Sequence, residues 1–338
     1  MIFGGNDMQN QLSAVILAGG EGKRMKSNRP KVLAEVMFQP ILKWVIDAVR
    51  GAGIEDICVV TGSKREFVDE YLQSLPFTVE TVFQSERLGT GHAVMQAADF
   101  LERHKSGDVL ILNGDGPFID VTTIQKAFDA HNHSSNRGCT VISAEVENPT
   151  GYGRIVRESD KQNDSDKLKA IIEEKEANDE IRKIREINSG AYWFEVNTLI
   201  DALGKIQKSE LTGEYYLTDT IALTKNSGRT VLAFKANNAD SVLGANDCIQ
   251  LAQLNEIARK RILNEHMKNG VVIPCTDGVM IGKDVQIGAN TVILPSSVIR
   301  GNTTIGSFCE IGPAALIENC KISDGTNISN TVVKNESR

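Results

Sequence analysis

From Ile281 onward an aliphatic residue returns at every sixth position, through Ile287, Ile293, Ile299, Ile305, Ile311 and Ile317, and after one five-residue step the series continues at Ile322 and Ile328. Gly282, Gly288, Gly306 and Gly312 directly follow members of the series, and small residues stand four positions after many of them. A chain with this period can send one aliphatic side chain inward per side of a coil and bend where the small residues stand. The spacing predicts a short left-handed parallel β-helix of about three coils, spanning 271–333. Its last coil would leave strand edges unpaired, so a terminal cap or a partner subunit is expected to cover them.

The preceding sequence follows a different rule. From Leu12, short β-branched runs alternate with helical patterns, the signature of a parallel sheet with crossover helices. Segments 13–17, 56–61, 78–83 and 108–112 are expected as buried strands, and 90–103 and 121–131 as helices. Pro40 at a helix start leads Ile41, Leu42, Val45, Ile46 and Val49 at helical spacing, with Gly51 and Gly53 as the stop. After Cys139, the strand-like segments 154–156, 168–172 and 187–196, with a charged stretch at 178–186, predict an insertion. Such an insertion commonly forms a second lobe over the carboxyl ends of the main strands, where α/β ligands bind. Helix returns at 216–224, and the amphipathic run 246–268 predicts a connecting helix ended by Gly270. The chain of 338 residues thus divides into a doubly wound, Rossmann-like α/β domain (12–245), a connecting helix (246–270) and the β-helix.

Composition removes several function classes. With 41% hydrophobic residues, 24% charged residues and a net charge of -7, the chain is neither disordered nor basic, and no nucleic-acid partner is expected. Apolar stretches such as 109–112 fall far below the roughly 20 residues of a membrane span, so no membrane partner is expected either. The first residues lack a basic region and an apolar core, so they do not read as a signal peptide, and translation could start at Met1 or Met8. Cys58, Cys139, Cys248, Cys275, Cys309 and Cys320 form no C-x-x-C pair, which argues against zinc ribbons and disulfides and points to a reducing cytoplasm. His131-x-His133 lies at a polar helix end and reads as a solvated turn rather than a metal pair.

The first predicted strand runs into Leu17-Ala18-Gly19-Gly20-Glu21-Gly22-Lys23-Arg24-Met25, followed by Pro30-Lys31. Glycines let the backbone approach a phosphate chain closely, and successive amides can face its oxygens. Arg24 stands where a Walker loop needs Ser or Thr, and Met25 where a Rossmann fingerprint needs a third glycine, so neither motif fits. Further motifs follow in order: Gln84, Leu88-Gly89-Thr90-Gly91-His92-Ala93, Gly114-Asp115, Pro149-Thr150-Gly151-Tyr152-Gly153-Arg154-Ile155, Glu186-Ile187-Asn188-Ser189-Gly190 and Gly213-Glu214-Tyr215-Tyr216-Leu217-Thr218-Asp219. Together these resemble the sugar-1-phosphate nucleotidyltransferases, and most specifically the bacterial N-acetylglucosamine-1-phosphate uridyltransferases. The resemblance runs from about Leu12 to the end of the chain. Gly19 stands where that branch usually has alanine, and Lys23 where it has threonine.

The resemblance implies a reaction of UTP with N-acetylglucosamine 1-phosphate that gives UDP-N-acetylglucosamine and pyrophosphate. It implies that Leu17, Ala18, Gly19 and Gly20 line the nucleotide and that Lys31, Gln84, Gly89 and Thr90 complete the uridine and phosphate pocket. The Gln84 amide can both donate and accept, which matches the imide edge of uracil. Asn113, Gly114 and Asp115 would meet the substrate, with Asp115 and Asn246 holding Mg²⁺; Asn246 could instead cap the long helix. Gly153, Glu173 and Asn188 would bind the sugar phosphate, and strand alternation lets only one of Glu173 and Glu174 face the pocket. Arg24 and Lys31 would be catalytic, neutralising charge on the pyrophosphate and α-phosphoryl groups. The family's trimers imply a homotrimer through the β-helix, while so few coils leave a monomer open. No histidine follows His266 to serve as a base, so no acetyl transfer is expected. A related nucleotidyltransferase with another sugar or base, or a non-catalytic nucleotide-sugar sensor, are the alternative readings.

Overall fold

Ala14, Val15 and Ile16 are fully buried in β1 (Leu12–Ala18), as a central strand covered on both faces requires. The computed structural model describes residues 11–20, 22–158 and 167–335; the alternative starts Met1 and Met8 lie outside them. Among these residues the chain forms two units, one ending its first stretch at Leu33 and resuming over Leu42–Gly244, the other comprising Ala34–Ile41 and the described residues from Ala245 onward.

In the first unit, β1 pairs in parallel with β4 (Asp56–Thr61) and β6 (Asp108–Asn113), and β4 with β5 (Glu80–Phe83). The short strands β2 (Glu35–Val36) and β3 (Gln39–Pro40) form a hairpin in the second unit. Beyond β6 the sheet is mixed: β10 (Glu186–Glu195) runs antiparallel to both β6 and β7 (Arg137–Glu145), and β11 (Thr230–Lys235) closes that edge parallel to β7. The order is β11-β7-β10-β6-β1-β4-β5, and β8 (Arg154–Arg157) and β9 (Leu168–Ile172) form an antiparallel pair attached through Ile187 of β10, with the short helix α6 (Asp179–Arg182) between β9 and β10 in the chain.

Alternate residues of β1 feed opposite cores. Val15 joins Val60, Val109 and Ile111 beneath α3 (Thr90–Met95), α4 (Ala98–Arg103), α7 (Val196–Leu203) and α8 (Asp219–Asn226). Ala14 and Ile16 join Val59, Leu110 and Trp193 beneath α1 (Ile41–Gly51), α2 (Arg65–Gln73) and α5 (Val121–Asn132). Each fully buried valine, leucine or isoleucine among these contributes about 1.5–3 kcal/mol. This is the doubly wound arrangement expected from the alternating pattern.

Some expected elements differ in detail. The strand expected to be buried over 78–83 begins at Glu80 and is mostly exposed, because β5 is the edge of the sheet. The helix expected over 90–103 is two helices, because Gln96 N–H and Ala97 N–H donate three residues back, to Ala93 and Val94, and break the α register. The helix expected from 216 begins at Asp219, because the backbone before it is bonded to the segment at Leu88–Gly91. Pro40 lies in β3 opposite Glu35, and the helix begins at the next residue.

In the second unit, α9 (Cys248–Lys268) precedes the coils, and the aliphatic series stacks in three columns. Ile281, Ile299, Ile317 and Val333 are in register, as are Ile287, Ile305 and Ile322, and Ile293, Ile311 and Ile328. Every pairing is parallel, giving the short left-handed β-helix that the six-residue period predicts. Several corners adopt left-handed backbone, at Asn290, Ser296, Phe308, Ala314, Asn319 and Asn330. Ile322 and Ile328 become half-buried and Val332 exposed where the coils run out. Among the described residues no helix is long and apolar enough to cross a membrane.

Candidate functional site

The parallel register sets the carboxyl ends of β1, β4 and β6 side by side, with Ala18 opposite Thr61 and Leu17 opposite Asn113. The glycines that follow these ends are therefore packed together. A Cβ on Gly62 would lie 2.3 Å from Gly19 O, so the two backbones meet where no side chain fits. Gly114 N–H donates to Leu17 O at 2.9 Å, which ties the strand carrying Asp115 to the glycine turn. Gly62 was not singled out in the sequence, although a glycine directly after a buried strand carries the same meaning as Gly19.

Lys31 crosses this turn. Its side chain lies against Gly20 and Gly22, where an added Cβ would come within 3.1 Å and 2.8 Å of it, and its ammonium forms an ion pair with Asp115. Both side chains are largely buried. Arg24 is exposed on the 3-10 turn Lys23–Met25, which Met25 anchors in the core. The turn thus presents backbone amides and two cations, the combination a polyphosphate needs.

Gln84 is buried beside the turn, with Oε1 3.0 Å from the position of a Gly19 Cβ. Its Nε2 donates to Gly89 O at 3.1 Å and lies 3.2 Å from His92 Nδ1. One amide hydrogen of Gln84 is thus engaged by Gly89 O, and His92 Nδ1 lies within hydrogen-bond reach of the same nitrogen. Gly89 has φ 97°, and a Cβ there would lie 2.4 Å from Tyr215 O. Around it, Tyr215 N–H donates to Leu88 O at 2.7 Å, Gly91 N–H to Tyr215 O at 2.8 Å, and Leu217 N–H to Thr90 Oγ1 at 3.0 Å. The Gly213–Asp219 motif therefore buttresses the Leu88–Gly91 motif.

The sugar-side candidates also converge. Asn188 N–H donates to Gly153 O at 2.9 Å, and a Cβ on Gly153 would lie 3.5 Å from both carboxylate oxygens of Glu173. Asn188 Nδ2 donates to the hydroxyl of buried Tyr192 at 2.7 Å, and its Oδ1 accepts from Gly190 N–H at 3.1 Å. Gly190, at φ 76°, sits in the β10 bulge with no room for a side chain, since a Cβ would reach 2.1 Å from Asn113 Nδ2. Of the two neighbouring glutamates, Glu174 turns away to pair with Arg154 at 2.6 Å and accept from Gly151 N–H at 3.1 Å. Burial, and then the charge of Glu176, raise the Glu173 carboxyl above its ordinary range; Thr218 partly offsets this and Asp219 adds to it. Tyr192 is a supporting residue that lies outside the motifs, while Gly190 and Thr218 lie within them without an assigned role.

Two expectations are corrected. The cap of α9 is Asp247, whose carboxylate accepts from Gln250 N–H at 2.8 Å, so the capping alternative for Asn246 falls away. Gly244, two residues before Asn246, passes Asp115, its Cβ position 3.6 Å from the carboxyl carbon. His131 is not solvated: it is 1% exposed, with Nδ1 3.1 Å from Thr140 Oγ1 and Nε2 3.3 Å from Asp108 Oδ1. His133, its proposed metal companion, is exposed, and among the described residues no three His, Cys, Asp or Glu converge on one point.

The nucleotidyl transferase family profile matches residues 13–256, and a bacterial transferase hexapeptide profile of six repeats matches 284–319. A bifunctional protein GlmU of Acetivibrio thermocellus is 44% identical over 95% of this chain and 68% of its own length. One from Caldanaerobacter subterraneus subsp. tengcongensis is 41% identical over 97% of this chain and 69% of its own. A solved Bacillus anthracis structure, described as a glucose-1-phosphate thymidylyltransferase, covers 73% of this chain and 95% of its own with a TM-score of 0.60; at 19% identity that likeness concerns the fold alone. The α/β unit and the coils thus both have counterparts in known proteins, and the chain belongs to the nucleotidyltransferase family as a relative of the bifunctional GlmU proteins.

Proposed function

We propose that the chain transfers a uridylyl group from UTP to N-acetylglucosamine 1-phosphate, releasing pyrophosphate and forming UDP-N-acetylglucosamine. The observation that carries this reading is the Lys31–Asp115 ion pair across the glycine turn, with Gln84 beside that turn and with Gly153, Glu173 and Asn188 converging on one another next to the Gly190 bulge that packs on Asn113. A base, a polyphosphate and a sugar each find suitable chemistry there.

A sugar phosphate is already an anionic nucleophile, so no residue has to take its proton; the difficulty is bringing it in line with the α-phosphorus of another polyanion. Two unit charges about 4 Å apart repel by about 4 kcal/mol at an effective dielectric of 20, and several such repulsions must be offset. In this reading Leu17, Ala18, Gly19 and Gly20 line the nucleotide, while Lys31 and Arg24 neutralise charge on the α-phosphoryl group and the departing pyrophosphate. Gly89 and Thr90 close the uridine pocket beside Gln84, and Asn113 and Gly114 lead the chain into Asp115. Glu173 and Asn188 accept from and donate to sugar hydroxyl and acetamido groups, with Gly153 leaving room for backbone contact.

Asp115 suits a hard divalent ion: it is a carboxylate at the carboxyl end of a central strand, already facing a cation. Asp115 would hold Mg²⁺, with Asn246 as the second ligand implied by the resemblance. The ion, when bound, supplies Lewis-acid stabilisation of phosphoryl oxygens. A cytoplasmic homotrimer joined through the β-helix belongs to the same reading.

Purified protein supplied with Mg²⁺, a panel of nucleoside triphosphates and a panel of sugar 1-phosphates is expected to release pyrophosphate fastest with UTP and N-acetylglucosamine 1-phosphate. Preference for another pair would reassign the substrates, and binding without release would favour the sensor.

A further inference from the structure

We infer that His92 is a positioning residue that fixes which end of the Gln84 amide faces the nucleobase, and so makes the site select bases with an N–H at ring position 3 over bases with a lone pair there. This rests on the uridylyltransferase reading for the placement of the base.

The argument follows hydrogen-bond polarity. Gly89 O can only accept, so the Gln84 atom 3.1 Å from it is the amide nitrogen. The same nitrogen lies 3.2 Å from His92 Nδ1, so its second hydrogen points at that ring atom, which must then carry a lone pair. A neutral imidazole has one acceptor and one donor, so its proton belongs on Nε2. Gln96 Nε2 approaches the other side of the ring, 3.2 Å from His92 Nε2 and 3.1 Å from His92 O. Two amide nitrogens cannot both donate to one neutral ring. Gln84 is 6% exposed, whereas Gln96 is half-buried and can turn its amide toward water. An unsatisfied buried donor is the costlier fault, so the lone pair belongs to Gln84.

The ring itself is held by its stack on Tyr215, with centroids 6.3 Å apart and planes 22° from parallel. With both hydrogens engaged, Gln84 presents Oε1 toward the glycine turn, where no hydrogen bond from the described residues reaches it. That oxygen accepts from the N3–H of uracil or thymine and repels the N3 lone pair of cytosine. Turning the amide over to suit cytosine would set Oε1 against two acceptors, Gly89 O and His92 Nδ1. His92 therefore contributes one of the two locks.

The test compares kcat/KM for UTP and CTP in the wild type, His92→Phe and His92→Asn. Phenylalanine keeps a ring against Tyr215 but offers no acceptor; the side-chain oxygen of asparagine takes the place of Nδ1. The UTP/CTP ratio is expected to fall about tenfold in His92→Phe, the scale of one buried hydrogen bond, through KM rather than kcat, and to return toward wild type in His92→Asn. Nitrogen-15 NMR of the unmodified protein, which needs no variant to fold, is expected to show His92 protonated at Nε2. An unchanged ratio in folded His92→Phe, or a proton on Nδ1, would overturn the inference while leaving uridylyl transfer intact. A wild type that does not prefer UTP would instead overturn the reading on which it rests.

Discussion

Lys31→Met separates two tasks assigned to one side chain. Methionine keeps an unbranched stem to lie against Gly20 and Gly22 but removes the ammonium from Asp115. The paired side chains retain 17% and 21% exposure. Unit charges about 4 Å apart attract by about 4 kcal/mol at an effective dielectric of 20, while fully exposed pairs net only about 0.2–1 kcal/mol. A pair mostly out of water falls between these limits, so about 1–2 kcal/mol opposes a divalent cation approaching Asp115. Removing that competitor should tighten Mn²⁺ binding about 5- to 30-fold. The same substitution deletes a cation from the phosphoryl group, so kcat should fall by about two orders of magnitude. Electron paramagnetic resonance titration of Mn²⁺ and pyrophosphate release, run on one preparation, read the two effects separately. Unchanged or weaker Mn²⁺ binding in the variant would refute the competition, and an unchanged kcat would refute the catalytic role.

Three other perturbations test the surrounding scaffold. Gly89→Ala places a Cβ against Tyr215 O at a φ of 97°, and should cost about 1–3 kcal/mol from backbone strain alone, read as a lower urea midpoint; a wild-type midpoint would contradict the packing described. Glu173→Gln should raise KM for the sugar phosphate about tenfold and leave that for UTP unchanged. Because the Glu173 carboxyl titrates above its ordinary 4.5, sugar binding in the wild type should weaken as pH falls through that raised value, and a Gln variant that kept this limb would remove Glu173 as its source. Burial would raise the Asp108 carboxyl, but His131 and Arg137 outweigh it and hold the group below 3.8. A depressed carboxylate stabilises the fold above its unfolded value and loses that contribution as pH falls through the folded one. Asp108→Asn should therefore cost about 3 kcal/mol at neutral pH, with the deficit shrinking below about pH 4, and thermal unfolding across pH would show a constant deficit if the network were inert.

What the sequence made legible follows the range of the interaction responsible. The β-helix columns were readable because every third member of the six-residue series returns to the same side of the coil, so Ile281, Ile299 and Ile317 stack from spacing alone. The bounds of β4 and β9 were likewise local, set by apolar runs against charge and turn residues. Errors arose where a partner lay far along the chain. His131 looked solvated among Asn132, Ser134 and Ser135, yet it is buried, with Asp108 and Thr140 as hydrogen-bond partners for its two ring nitrogens. The helix expected from 216 starts late because Leu217 N–H is taken by Thr90, 127 residues away. Glu173 and Glu174 could not be assigned from alternation because β9 ends at Ile172, and the glutamates follow it in a turn, where Arg154 and Gly151 draw Glu174 aside. The same reason explains why a motif can announce a residue without its working atom: the family resemblance pointed to Gln84, but only the folded positions of Gly89 O and His92 Nδ1 bear on which end of its amide faces the proposed base pocket.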